Sequence, residues 1–212
     1  MSDCVQAARH LYQDAKALPR LLMTYRPTIC PFEELLPLVP RGASVLDVGC
    51  GGGLMLSLLA ASGRIDAGYG FDTNGEMIQL ASRVAETHGL PLQFEQRSVI
   101  DGIPEGTFSV ISVIDVMHHI PPDAQAGFFS DVVARLPPGG VLIYKDMCRR
   151  PAWRAAANRL HDLVLARQWI HYCPIDDVRQ WAAGLGLELI QEQAHNRLWY
   201  GHELLVLTRP DP

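Results

Sequence analysis

The chain has 212 residues, 48% of them hydrophobic and 19% charged, with a formal net charge of −5. That length suffices for one ordinary domain with its own core, and the composition excludes a disordered chain. The acidic balance argues against a nucleic-acid partner, whose phosphates require a basic surface.

Residues 3–24 read as an amphipathic helix outside the main pattern, and residues 1–40 as an N-terminal helical cap on a single domain, 1–212. Asp3, Arg9, Asp14 and Lys16 interrupt Met1–Leu22, which is therefore not read as a signal peptide. Tyr25-Arg26-Pro27 and Cys30-Pro31 predict a turn-rich connection, because proline disfavours helix in the residue before it. From Ser44 strands and helices alternate. Val45–Val48, Ala67–Phe71, Leu92–Arg97, Phe108–Ile114 and Val141–Lys145 are strand candidates. Helices are expected at Leu54–Ala61, Glu76–His88 (stopped by Gly89), 122–136, 152–169 and 175–184. Strands near 187–192 and at Glu203–Thr208 close the chain, joined by a link at Gln193–His202 that suggests an antiparallel hairpin. The expected fold is therefore α/β: a doubly wound, seven-stranded, mostly parallel sheet with an antiparallel last strand and helices on both faces.

No apolar run approaches the roughly 20 residues of a membrane span. Cys4, Cys30, Cys50, Cys148 and Cys173 fall at irregular spacings, with neither a disulfide framework nor a zinc cluster. A reduced, cytoplasmic protein is the expectation.

The chemistry-bearing signal is Asp47-Val48-Gly49-Cys50-Gly51-Gly52-Gly53, where the first strand turns into the first helix. Glycine lets backbone approach a ligand, and the helix N-terminus beyond it presents free N–H groups. A dinucleotide loop would need a glycine where Leu54 stands, so a nicotinamide-dependent oxidoreductase is the disfavoured rival. The segment Val45–Gly53 resembles the nucleotide loop of class I, Rossmann-like, S-adenosylmethionine (SAM)-dependent methyltransferases of small-molecule type, and the resemblance runs from about residue 44 to the C-terminus.

The resemblance implies S-adenosylmethionine as cofactor. Asp47, Gly49, Cys50 and Gly51 would surround its methionine half, and Asp72 would accept from the ribose diol. Thr73, Asn74 and Met77 would line the ribose and adenine side. After the third strand, Ser98 and Val99 stand where many relatives carry an acid for the adenine amino group. Ser112–Pro121 resembles the L-H-H segment of small-molecule methyltransferases rather than the N-P-P-[YF] motif of nucleic-acid enzymes. Histidine can take a proton near neutral pH. His119 is the favoured base, His118 its alternative, and Asp115 an orienting, catalytic or SAM-contacting group. Asp146 is either a second acceptor-facing acid or the partner of a nearby arginine.

Residues 149–173 combine Arg149, Arg150, Arg154, Arg159 and Arg167 with Trp153, Trp169, His161, His171 and Tyr172. They are either a helical cover over the site or a helix with a solvated basic face. Tyr200 and His202 are weaker candidates. The expected partner is a small-molecule acceptor, apolar or carrier-bound, without nucleic acid and without a metal. A homodimer and an acidic carrier protein are both compatible with the sequence. A SAM-binding regulatory protein without catalysis is the alternative function.

Overall fold

The computed structural model describes residues 3–147, 171–197 and 200–211. Of the expected cover at 149–173, residues 149–170 lie outside the described residues, with all of its arginines and tryptophans. The chain divides into two compact units, 1–102 and 103–212. The seven strands belong to one sheet.

The first unit opens on α1 (Asp3–Leu11) and α2 (Ala17–Ile29), where the sequence suggested a single helix. Pro19 explains the break. It lies in the first turn of α2, where a missing N–H has no intrahelical partner to lose. The expected turn at Tyr25–Pro27 is instead helical. Pro27 forfeits one backbone bond near the end of α2, but it is buried with Met23 and Thr24 on the face that anchors the helix. α3 (Phe32–Leu35) and a 3-10 turn (Leu36–Leu38) lead into the sheet.

β1 (Ala43–Val48) is largely buried, as suits a central parallel strand. It is followed by α4 (Leu54–Ala61), β2 (Ile65–Asp72), α5 (Gly75–His88) and β3 (Leu92–Gln96). The three strands are parallel in the order β3-β2-β1, with Val48 opposite Phe71 and Asp72 opposite Gln96. Asn74 caps α5, its side-chain oxygen accepting from the N–H groups of Glu76 and Met77. Gly89 ends that helix at φ +60°, as the sequence suggested.

The second unit contains β4 (Val110–Ile114), α6 (Pro122–Val133), β5 (Val141–Met147), α7 (Ile175–Gly184), β6 (Glu188–Arg197) and β7 (Tyr200–Thr208). Its strand order is β4-β5-β7-β6. β4 and β5 are parallel, β7 runs antiparallel to β5, and β6 antiparallel to β7. The hairpin is present with longer arms than expected. Most of the supposed link is strand, with His195 opposite His202.

Candidate functional site

In the first unit, β1 delivers buried Asp47 to the edge of the glycine loop. Cys50 N–H donates to the Phe71 carbonyl at 3.0 Å, tying that loop to β2. Gly51 has φ +53°, and a Cβ placed on it would meet nothing within 4 Å. One face of the loop is therefore open. Its other face is filled: a Cβ on Gly52 would come within 2.7 Å of Met23 Sδ and 2.9 Å of Met77 Cε. Gly53, the α4 N-cap at φ +74°, is crowded by the Phe94 ring in the same way.

Asp72 is the hinge of this constellation. Its Oδ2 accepts from Gly51 N–H and its Oδ1 from Asn74 N–H, both at 2.8 Å. The carboxylate is thus immobilised, yet each oxygen keeps a lone pair for a further donor. It does not cap α5, a task that Asn74 performs. Cys50 remains a thiol, because burial pushes its ionisation up, and Asp47 and Asp72 add to the effect. A thiol that does not ionise is a poor nucleophile.

Thr73 is exposed, with its carbonyl accepting from Gln96 Nε2 at 3.1 Å, and Met77 is half-buried. Ser98 and Val99 are half-buried at the end of β3. The Ser98 hydroxyl accepts from Ile100 N–H at 3.3 Å, and its backbone N–H donates to Asp101 Oδ2 at 3.1 Å. That reciprocal capping box holds the 3-10 turn Val99–Asp101 and leaves Ile100 90% exposed.

The second unit carries the histidine segment. Asp115 follows β4 at φ +58°, a left-handed conformation rare for a residue with a Cβ. Two contacts hold it there. Its N–H donates to the Lys145 carbonyl at 2.8 Å, and Oδ1 accepts from Lys145 Nζ at 2.6 Å, the lysine side chain being 0% exposed. A 3-10 turn, Met117–His119, comes next. Its anchor is Asp146 on β5, whose Oδ2 accepts from His118 N–H at 3.1 Å and whose Oδ1 lies 2.5 Å from His118 Nδ1. Met147 N–H donates to the same Oδ1 at 2.7 Å. The carboxylate fixes the proton on Nδ1 and the orientation of the ring. His118 is 2% exposed, whereas His119 is exposed, with ring centroids 4.1 Å apart.

Asp146 therefore pairs with a histidine rather than the arginine weighed from sequence. Around it stand Tyr144, Cys173 and Glu203, the last directly opposite Asp146 on β7. Burial pushes the Cys173 thiol up to about 12, with Asp146 adding to the shift. Burial also raises Glu203, with Asp146 adding and Arg179 opposing. His202 is buried opposite Met147, and the Tyr200 side chain lies outside what the structure describes.

Two positions escaped sequence reasoning. Gln125 on α6 is buried, and its Nε2 donates to the carbonyls of Met117 (3.2 Å), Ile120 (3.1 Å) and His171 (3.3 Å). His171 N–H in turn donates to the His118 carbonyl at 2.7 Å. Its position one turn before Phe128 and Phe129, on the buried face of α6, was a legible signal. The other is Tyr12, whose hydroxyl donates to the Gly52 carbonyl at 2.7 Å. It continues the buried stripe of Cys4, Val5, Ala8 and Leu11.

A family model described as a methyltransferase domain matches residues 24–192. The chain belongs to that family. This methyltransferase domain is also 31% identical over 114 residues to the ubiquinone biosynthesis O-methyltransferase of Actinobacillus pleuropneumoniae serotype 5b (strain L20), covering 51% of this chain and 47% of that one. A namesake from Coxiella burnetii (strain RSA 331 / Henzerling II) is 32% identical over 159 residues, 71% of this chain and 65% of the relative. The chain thus spans about half to two thirds of the length of these curated relatives.

Among solved structures, an O-methyltransferase family protein from Burkholderia thailandensis superposes with a TM-score of 0.72 at 20% identity, over 96% of this chain and 60% of that one. The magnesium protoporphyrin IX methyltransferase of Synechocystis PCC 6803, solved with bound SAH, gives 0.70 at 16% identity, over 96% and 93%. The fold is that of these methyltransferases, as the glycine loop suggested, and the seven-stranded doubly wound expectation holds. Among the described residues, no helix is long and apolar enough to cross a membrane.

Proposed function

We propose that this chain is a SAM-dependent methyltransferase that methylates a hydroxyl oxygen of a small-molecule acceptor. The observation that carries the reading is Asp72, held by Gly51 and Asn74 so that both oxygens keep acceptor capacity beside the open face of Gly51. This fits a ribose diol, and the open face of the glycine loop at Gly51 fits the methionine half. Asp47, Gly49, Cys50 and Gly51 take that half of the cofactor; Thr73, Met77, Ser98 and Val99 take the ribose and adenine side. S-adenosylmethionine brings an activated methyl group on a sulfonium. What the chain must add is alignment, exclusion of water and removal of the hydroxyl proton. The relatives' names favour oxygen as the acceptor atom.

We assign the base to His119. It is exposed on a turn whose backbone is clamped by Asp146, Gln125 and His171, so it meets an acceptor at little cost in loop motion. The His119 ring would accept the acceptor's hydroxyl proton when the methyl group is transferred to its oxygen. Asp115, held by Lys145, orients the acceptor or the cofactor. A second reading follows from the 2.5 Å contact of His118 with Asp146, a carboxylate–histidine pair that fixes the imidazole's orientation. Alanine variants separate the two. His119→Ala should lower kcat by about 10²–10⁴-fold with cofactor affinity retained. His118→Ala should chiefly lower the melting temperature, and the reverse pattern would move the base to His118.

The acidic net charge supports a small molecule over a nucleic acid, and Cys4, Cys30, Cys50 and Cys173, all present as thiols, support a reducing, cytoplasmic setting. The direct test is calorimetry with S-adenosylhomocysteine, S-adenosylmethionine and NAD, followed by turnover on a panel of phenols, catechols, amines and thiols. Binding of NAD alone would sink the proposal. Cofactor binding with no turnover on any acceptor would favour the regulatory alternative.

A further inference from the structure

Three consecutive glycines, 51–53, give the loop more backbone freedom than a ligand-binding surface can carry without an entropic cost on binding. The structure removes much of that freedom at one residue. Gly52 receives the Tyr12 hydroxyl on its carbonyl, in a 2.7 Å bond from a phenol that is 0% exposed. Ser57, fully buried on α4, lies beside the same phenol. Met23 of α2 presses on the Cα side of Gly52, leaving no room for a Cβ. One residue earlier, the Gly51 N–H is spent on Asp72. The stretch from 51 to 52 is thus gripped by Asp72 at its N–H and by Tyr12 at its carbonyl.

We infer that Tyr12 is a positioning residue for the cofactor loop, and that through it the N-terminal helices set cofactor affinity. The inference rests on the SAM reading above. Tyr12 touches the loop from the protein side and need not meet the ligand. Its hydroxyl bonds Gly52 in the same conformation in which Gly51 N–H donates to Asp72. Removing only that hydroxyl leaves the ring to fill its cavity, so the helices stay packed while the loop loses its clamp.

Tyr12→Phe should weaken S-adenosylhomocysteine binding about three- to tenfold, the scale of one buried hydrogen bond, and raise the KM for S-adenosylmethionine in step. The kcat at saturating cofactor should hold, because the acceptor groups are untouched. Leu11→Ala, a cavity on the neighbouring buried position of α1, serves as the control. It should lower the melting temperature more than Tyr12→Phe while leaving cofactor affinity unchanged. Amide exchange on the wild-type chain gives a second, fold-independent measurement: S-adenosylhomocysteine should slow exchange in residues 3–29 as well as in the loop. Unchanged affinity in Tyr12→Phe, an equal loss in Leu11→Ala, or protection confined to the loop would each overturn the inference. Failure of the wild-type chain to bind S-adenosylhomocysteine would instead overturn the cofactor reading on which it rests.

Discussion

Asp72 shows what a single side chain contributes here. Its two oxygens are already bonded to backbone N–H groups, so no rotamer search precedes ligand binding. Asp72→Ala therefore removes both the acceptor for a ribose diol and the tether on Gly51. Cofactor affinity should fall by about 1.5–3 kcal/mol, the usual worth of hydrogen bonds to a charged group. Calorimetry on a variant with an unchanged circular dichroism spectrum checks this. Unchanged affinity would remove Asp72 from the site. Asp115 is the counterpart in the second unit. Its left-handed backbone persists because a buried lysine and a carbonyl from the next strand over-determine it. Neither residue could have been read in this detail from sequence. Asp72 was legible as an acid at a strand end, but its two backbone partners were not.

Elements explain why these side chains stand where they do. β5 alternates, so Tyr144 and Asp146 face one way and Lys145 the other. One strand therefore supplies the anchor of the histidine turn and the partner of Asp115. β7, paired antiparallel, brings Glu203 opposite Asp146. Burial holds the Glu203 carboxyl above the ordinary range, so the folded chain keeps its proton more tightly than the unfolded chain does. The stability this provides is fully present below the unfolded value, near 4.5, and is lost as pH rises through the higher folded value. Glu203→Gln removes the ionisation and should raise the melting temperature at neutral pH. It should also flatten the fall in stability between mildly acidic and neutral pH. A variant whose melting temperature follows the wild-type pH profile would show that Glu203 carries no such penalty. The helices contribute differently. α6 offers Gln125 as a buried staple for the histidine turn, and the end of α1 offers Tyr12 to the glycine loop.

For the whole molecule, ligand linkage gives the most direct expectation. A cofactor held at a hundred times its dissociation constant stabilises the state that binds it by about 2.7 kcal/mol. In a chain of this size that corresponds to a rise in melting temperature of roughly 5–11 °C. S-adenosylhomocysteine should produce it and NAD should not, and a shift with NAD alone would contradict the fold's proposed use. Much of the architecture was legible beforehand because its signals are local. Alternating strands and helices, the glycine loop after the first strand and an acid after the second are all written within short windows. Leu54–Ala61 and Ile175–Gly184 match the expected helices to the residue, since apolar periodicity and flanking glycine or proline suffice to bound them. The misreadings at residues 3–29 have one source: Pro19 and Pro27 act as breakers only when tertiary burial does not compensate, and here Pro27 is buried within α2. The pairing of Asp146 with His118, the burial of one histidine and exposure of its neighbour, and the grip of Tyr12 on Gly52 join residues 28, 1 and 40 positions apart. Local pattern named most of these residues as candidates, but only three-dimensional packing decided which carbonyl, carboxylate or ring each would meet.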